Sequence, residues 1–129
     1  MKRDARIKAM QILYTCDFQG IEIKDVLSLE EEIDELAVTL AEFCSANLSR
    51  VDELISSTLE RYTIDRLNLV DKAIIRLAVS EMLAGKEPRQ VIINEALEIT
   101  KLYTDLGDHK AVSFNNRLLD NINKKLKVE

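Results

Sequence analysis

The sequence has no tryptophan, one proline, three glycines and only 5% aromatic residues, so it lacks the turn-forming residues that a β-sandwich or barrel needs at every hairpin. Two cysteines, Cys16 and Cys44, lie 27 residues apart with no neighbouring His or Cys, which excludes a disulfide framework and a zinc ligand set. There is one histidine, His109, and no Ser or Cys motif that would make it the base of a nucleophile. Its place in a polar loop predicts a solvated or capping role. The chain holds no Gly-rich phosphate loop, no H-E-x-x-H and no C-x-x-C. No apolar run reaches the roughly 18 residues of a membrane span, and charges stand where a signal peptide would carry its apolar core. These absences predict a cytoplasmic binding protein without metal, cofactor or catalytic centre.

What is present is helical. Ala, Leu, Glu and Lys abound, 47% of the 129 residues are hydrophobic and 32% charged, a balance suited to amphipathic helices in one all-α domain. Ile7, Met10, Tyr14 and Phe18 recur at helical spacing over 3–18, and Gly20 ends that helix. Ser28 and Glu31 form a capping box that predicts a second helix, with Ile33, Leu36, Val38, Leu40 and Phe43 buried. Ser49 and Asp52 predict the start of a third. The segment around Leu67, Val70, Ile74, Leu77, Ala78 and Met82 has few polar residues between Ala73 and Leu83, which predicts a central helix ended by Gly85. Pro88 suits the first turn of the next, with Leu102 among its apolar positions, and Asp108 could cap a last helix carrying Val112, Leu118, Leu119, Ile122 and Leu126.

One feature points outward. Residues 1–8 hold four cations, Lys2, Arg3, Arg6 and Lys8, against Asp4 alone, although the chain is −5 overall. On a helical wheel Arg3, Arg6, Ile7, Met10 and Tyr14 fall within one sector of about 100°. Cations beside an aromatic ring suit single-stranded RNA, which offers phosphate and a stacking face. The same pattern also fits a core tyrosine and cations that merely solubilise a terminus. The run Glu30, Glu31, Glu32, Asp34, Glu35 reads as a solvated helix face.

Four segments, in order, resemble the NusB family of bacterial transcription antitermination factors: KRDARIKAMQILY, RYTIDRLNLVDKAIIRLAVSEML, VIINEALEITK and SFNNRLLDNI. The resemblance implies an all-α domain of six to seven helices in two packed three-helix lobes, divided here at about 63/64. It implies binding of boxA-type single-stranded RNA together with ribosomal protein S10 (NusE), within an RNA polymerase antitermination complex that supports transcription of ribosomal RNA operons. Carried over by position, Lys2, Arg3, Arg6, Tyr14, Lys101, Phe114 and Asn116 become RNA-binding candidates. Asp71, Lys72, Arg76 and Glu81 become partner-binding candidates, and Asn94 and Glu95 are expected to act internally, the Asn amide bonding backbone.

Three departures stand out. Asn115 and Arg117 replace an apolar residue and a glycine, so either the helix is displaced or Arg117 points outward as an added phosphate contact. The loop TDLGDHKAVS is longer than usual and lacks an acidic-Ser pair, and Tyr62 replaces a common Trp. Two other readings remain. A NusB-like lobe also begins some ribosomal RNA methyltransferases, which continue into a catalytic domain with a Gly-rich loop, of which this sequence holds none. A protein-only adaptor or homodimer would bury the basic tip at its interface.

Overall fold

The computed structural model describes residues 2–128. Seven α-helices follow in order: α1 (Lys2–Gln19), α2 (Ile23–Leu27), α3 (Glu35–Ala46), α4 (Leu48–Thr58), α5 (Leu69–Ala84), α6 (Arg89–Tyr103) and α7 (Lys110–Lys127), with a 3-10 turn at Ile64–Arg66. No strand occurs among the described residues. The helix α5 is central: it packs against α1, α3, α4, α6 and α7. It buries Ala73, Ile74, Ile75, Leu77, Ala78, Val79 and Met82. Asn68 starts it by accepting from the amides of Val70 and Asp71, at 2.9 and 3.3 Å. Gly85, at φ 69°, ends it in the left-handed conformation that glycine adopts without strain. The expected lobe division at 63/64 falls between α4 and α5, yet the buried side chains form one contiguous core across it.

The second helix departs from expectation. Ser28 does not open it; Ser28 closes the short α2, its hydroxyl donating to the Asp25 carbonyl at 2.7 Å. The segment 30–33 stays non-helical, and α3 begins after Asp34, whose carboxylate accepts from the Ala37 amide at 3.1 Å. A carboxylate at the N-cap satisfies a free N–H and meets the positive end of the helix dipole, which outweighs the Ser28 box. The buried face of α3 is Ala37, Ala41 and Cys44, while Ile33 and Leu36 lie exposed. Because α1 likewise buries Ala5 and Ala9, small side chains let these two helices approach closely.

The remaining caps are near misses. Asn47, not Ser49, joins α3 to α4: its amide nitrogens reach the Phe43 carbonyl while its own carbonyl accepts from Val51. Pro88 sits just before α6 rather than within its first turn. Asp108 accepts from the Lys110 amide at 3.1 Å, but the N-cap of α7 is His109, whose side chain makes no capping bond. His109 sits at φ 61° with its N–H on Asp105, so its place at the start of α7 is a matter of backbone geometry. Lys125 near the end of α7 donates to the Ser57 carbonyl at 2.8 Å and ties that helix to α4.

Candidate nucleic-acid interface

The cations of α1 are not free. Arg6 is buried, 5% exposed, and its guanidinium meets Glu81 of α5 through two parallel bonds of 2.9 Å. It also reaches Glu87, at 3.3 Å, and Glu95 of α6, at 3.9 Å. Arg3 forms a second fork on Glu95, with bonds of 3.0 and 2.7 Å, and Lys2 donates to Glu87. Three cations therefore face three carboxylates in two layers, with Arg6 beneath and the exposed Lys2 and Arg3 above. The bond from Lys2 holds the Glu87 carboxyl below its usual value, and the bond from Arg3 does the same for Glu95. Arg3 is raised in turn by Glu95. Arg6, expected among the RNA-binding residues, is buried beneath this layer. Arg6 is instead the anchor that docks α1 onto α5 and α6.

The four central-helix charges expected at a partner surface are likewise committed inside the chain. Lys72, 7% exposed, pairs with Asp17 of α1 at 2.9 Å. Arg76 forks onto Asp52 of α4 at 2.9 and 2.8 Å and lies 3.7 Å from Asp17. Glu81 is held by Arg6. Asp71 accepts from the Thr104 hydroxyl at 2.7 Å and the Asn115 amide at 3.1 Å. Charges along the most buried helix must be paired or hydrogen-bonded to be tolerated: Lys72, Arg76 and Glu81 have ionic partners, and Asp71 has two neutral donors. Asp17 was not singled out from the sequence, and Asp52 only as a helix-start residue, because pairing between distant helices leaves no local pattern.

A more open arrangement lies where α7 meets the segment after α4. Phe114 and Tyr62 pack edge to face with ring centroids 5.9 Å apart, both partly open to solvent. Around them Arg61, Arg117, Glu60 and Asn121 line a cavity of about 320 Å³. Arg117 points outward, its side chain 75% exposed and 3.8 Å from Glu60, so the missing glycine is accommodated without filling any gap. Asn115 takes the inward position. Fully buried, it donates to both Asp71 and Thr100 at 3.1 Å and pins α7 to α5 and α6 beneath Phe114. Asn116 is exposed, as is Lys101, which pairs with Glu98 on its own helix at 3.5 Å. Asn94 is exposed and bonds Gln90 on its own helix rather than a neighbouring backbone. Tyr14 is half-buried and stacks on Phe18 at 5.7 Å; Phe18, expected inside, is 63% exposed. No cluster of His, Cys, Asp or Glu among the described residues could hold a metal ion, and no helix is long and apolar enough to cross a membrane.

The family model described as NusB family matches residues 3–124, which takes in all of α2 to α6 and most of α1 and α7. The chain belongs to the NusB family. Transcription antitermination protein NusB of Clostridium botulinum (strain Alaska E43 / Type E3) is 40% identical over 131 aligned residues, covering 94% of this chain and 96% of the relative. Its counterpart in Bacillus cereus (strain B4264) is 36% identical, covering 94% and 95%. Among solved structures, T. maritima NusB superposes with a TM-score of 0.82 at 33% identity, over 97% of this chain and 92% of the other. A structure of the antitermination factors NusB and NusE in complex with double-stranded RNA superposes with a TM-score of 0.79 at 25% identity, over 96% of each chain. The NusB fold is thus retained throughout, including the stretch around Asn115 and Arg117 where the sequence departs.

Proposed function

We propose that this chain is a transcription antitermination factor that binds boxA-type single-stranded RNA together with ribosomal protein S10 (NusE) and supports transcription of ribosomal RNA operons. The observation that carries the reading is the aromatic pair Phe114 and Tyr62 set between Arg61 and Arg117 around an open cavity. Rings there can stack on bases while guanidinium groups meet the phosphates between them. Asn116 offers a donor and an acceptor to a base edge, and Lys101, Lys2 and Arg3 extend the cationic track. Arg6 positions Lys2 and Arg3 by fixing the carboxylates below them. Likewise Asp71, through Asn115, positions Phe114 and Arg117, while Lys72, Arg76 and Glu81 hold α1 and α4 on the central helix and shape the partner surface from beneath. Tyr14, stacked on Phe18, forms a separate exposed aromatic step on α1. The solved relative that contains NusE and RNA supports the pairing of ligands.

Fluorescence anisotropy of a labelled boxA-type RNA, with and without S10, tests this. Binding should tighten with S10 and weaken about 5- to 100-fold on Phe114→Ala, the span expected from losing one stacked base. Unchanged affinity in Phe114→Ala and Arg117→Ala would remove this surface from the RNA site.

A further inference from the structure

The basic cluster at the tip of α1 is matched by carboxylates in three dimensions. Lys2, Arg3 and Arg6 are matched by Glu81, Glu87 and Glu95, and none of these pairings is between neighbours in the chain. The two layers differ in their freedom. Arg6 and Glu81 lie at the bottom with side chains 6% and 10% exposed, Glu87 and Glu95 are about 20% exposed, and Lys2 and Arg3 are 66% and 44% exposed on top. Each middle carboxylate is shared: Glu87 between Lys2 and Arg6, Glu95 between Arg3 and Arg6. If Lys2 or Arg3 swings outward, its carboxylate remains held by Arg6 from below.

We infer that Glu87 and Glu95 are resident competitors for phosphate, determining how strongly the α1 tip takes a nucleic-acid backbone; this rests on the RNA-binding role proposed above. A phosphate at the tip takes Lys2 and Arg3 from carboxylates that stay in place, so it gains only the difference between two ionic partners. The tip then contributes to affinity only for a strand already held elsewhere, at Phe114 and Arg117, and gives little pull on polyanions in general. Glu87 and Glu95 thus set selectivity without touching the bases.

The test compares wild type, Glu87→Gln/Glu95→Gln, Lys2→Gln/Arg3→Gln and the fourfold variant on two probes, a boxA-type RNA and an oligouridine of equal length, across a salt titration. Freed cations should tighten both probes, since phosphate is common to them, by up to about fivefold for each exposed pair released. The log–log salt slope should steepen by about 0.7 for each phosphate gained. That gain should vanish in the fourfold variant, and Glu35→Gln/Glu42→Gln, which removes the same charge from α3, should not reproduce it. If the Gln pair binds no tighter than wild type while Lys2→Gln/Arg3→Gln binds more weakly, the carboxylates merely orient the cations and the inference is overturned, with the RNA site intact. Equal gain in the α3 control also overturns it. Full affinity in Lys2→Gln/Arg3→Gln together with no gain in Glu87→Gln/Glu95→Gln would remove the tip from the RNA site, and both readings of the tip would fall together. Should the double Gln variant melt below the assay temperature, Glu95→Gln alone carries the test, because Arg6 keeps Glu81 and Glu87.

Discussion

At Arg6 a guanidinium sits where a core residue would, and its removal should show what it does. Truncation leaves Glu81 facing an apolar contact with no cation, so Arg6→Ala should destabilise the fold by about 3 kcal/mol, the lower end for a broken buried pair because the carboxylates keep some solvent. Arg3→Ala, exposed and merely adding a second fork to Glu95, should change stability by less than about 1 kcal/mol. Urea unfolding of the two variants measures both; equal losses would mean that Arg6 is no anchor. A second residue-scale contrast concerns the thiols. Burial pushes the Cys44 thiol up to about 11, and it lies fully enclosed with its Sγ near the Arg76 carbonyl. Cys16 is raised by burial too, but remains partly open. At pH 7.5 a thiol reagent should therefore modify Cys16 in the folded protein and Cys44 only on unfolding, as mass spectrometry of labelled peptides would show.

At the scale of elements, α1 is docked by an ionic seam, and that seam should respond to acid. Glu87 and Glu95 have folded-state values below the ordinary 4.5 of glutamate, held down by Lys2 and Arg3. A depressed carboxylate contributes stability that is fully present above its unfolded value and is lost as pH falls through the folded value. Wild type should therefore melt higher than Glu87→Gln/Glu95→Gln at pH 7, and the gap should close as pH drops below about 4.5. A gap constant from pH 7 to pH 3 would count against the seam. The same element shows what a sequence can and cannot convey. The long periodic stripes of α1, α5, α6 and α7 and the stop at Gly85 were legible because they depend on residues three or four apart. The face of α3 was not, since Ala37, Ala41 and Cys44 are buried for being small, which matters only once α1 is known to lie against them. Nor was the five-residue α2, too short to show a period. The candidate site divided in the same way. Phe114 and Asn116 came from local resemblance and Arg117 from a departure from it, and all three lie on an open surface, whereas the commitment of Arg6, Lys72 and Arg76 to internal carboxylates follows from pairings between separate elements.

For the whole molecule, the contrast is between a net charge of −5 and a proposed function that requires contact with phosphate. Overall charge opposes approach of RNA, and the α1 cluster, matched by carboxylates, does not reverse this. Local contacts must therefore supply the affinity, and their number is readable from salt. With Lys2, Arg3, Lys101 and Arg117 as candidate phosphate partners and Arg6 enclosed, three or four contacts predict a log–log slope between about −2 and −3 on single-stranded RNA. Binding of S10 beside the RNA should raise RNA affinity and, by linkage, RNA should raise S10 affinity by the same factor. Isothermal titrations in both orders measure the two factors. Their equality is required by thermodynamics, so the informative quantity is their size: a factor near one would mean that the two ligands occupy independent surfaces, while a factor well above one would establish that they stabilise a shared arrangement. Because α7 bears Phe114 and Arg117 on its outer side and is pinned through Asn115 to Asp71 on its inner side, that arrangement should depend on Asn115. Asn115→Leu, which keeps the volume but loses both bonds to α5 and α6, should lower the coupling factor more than it lowers RNA affinity without S10.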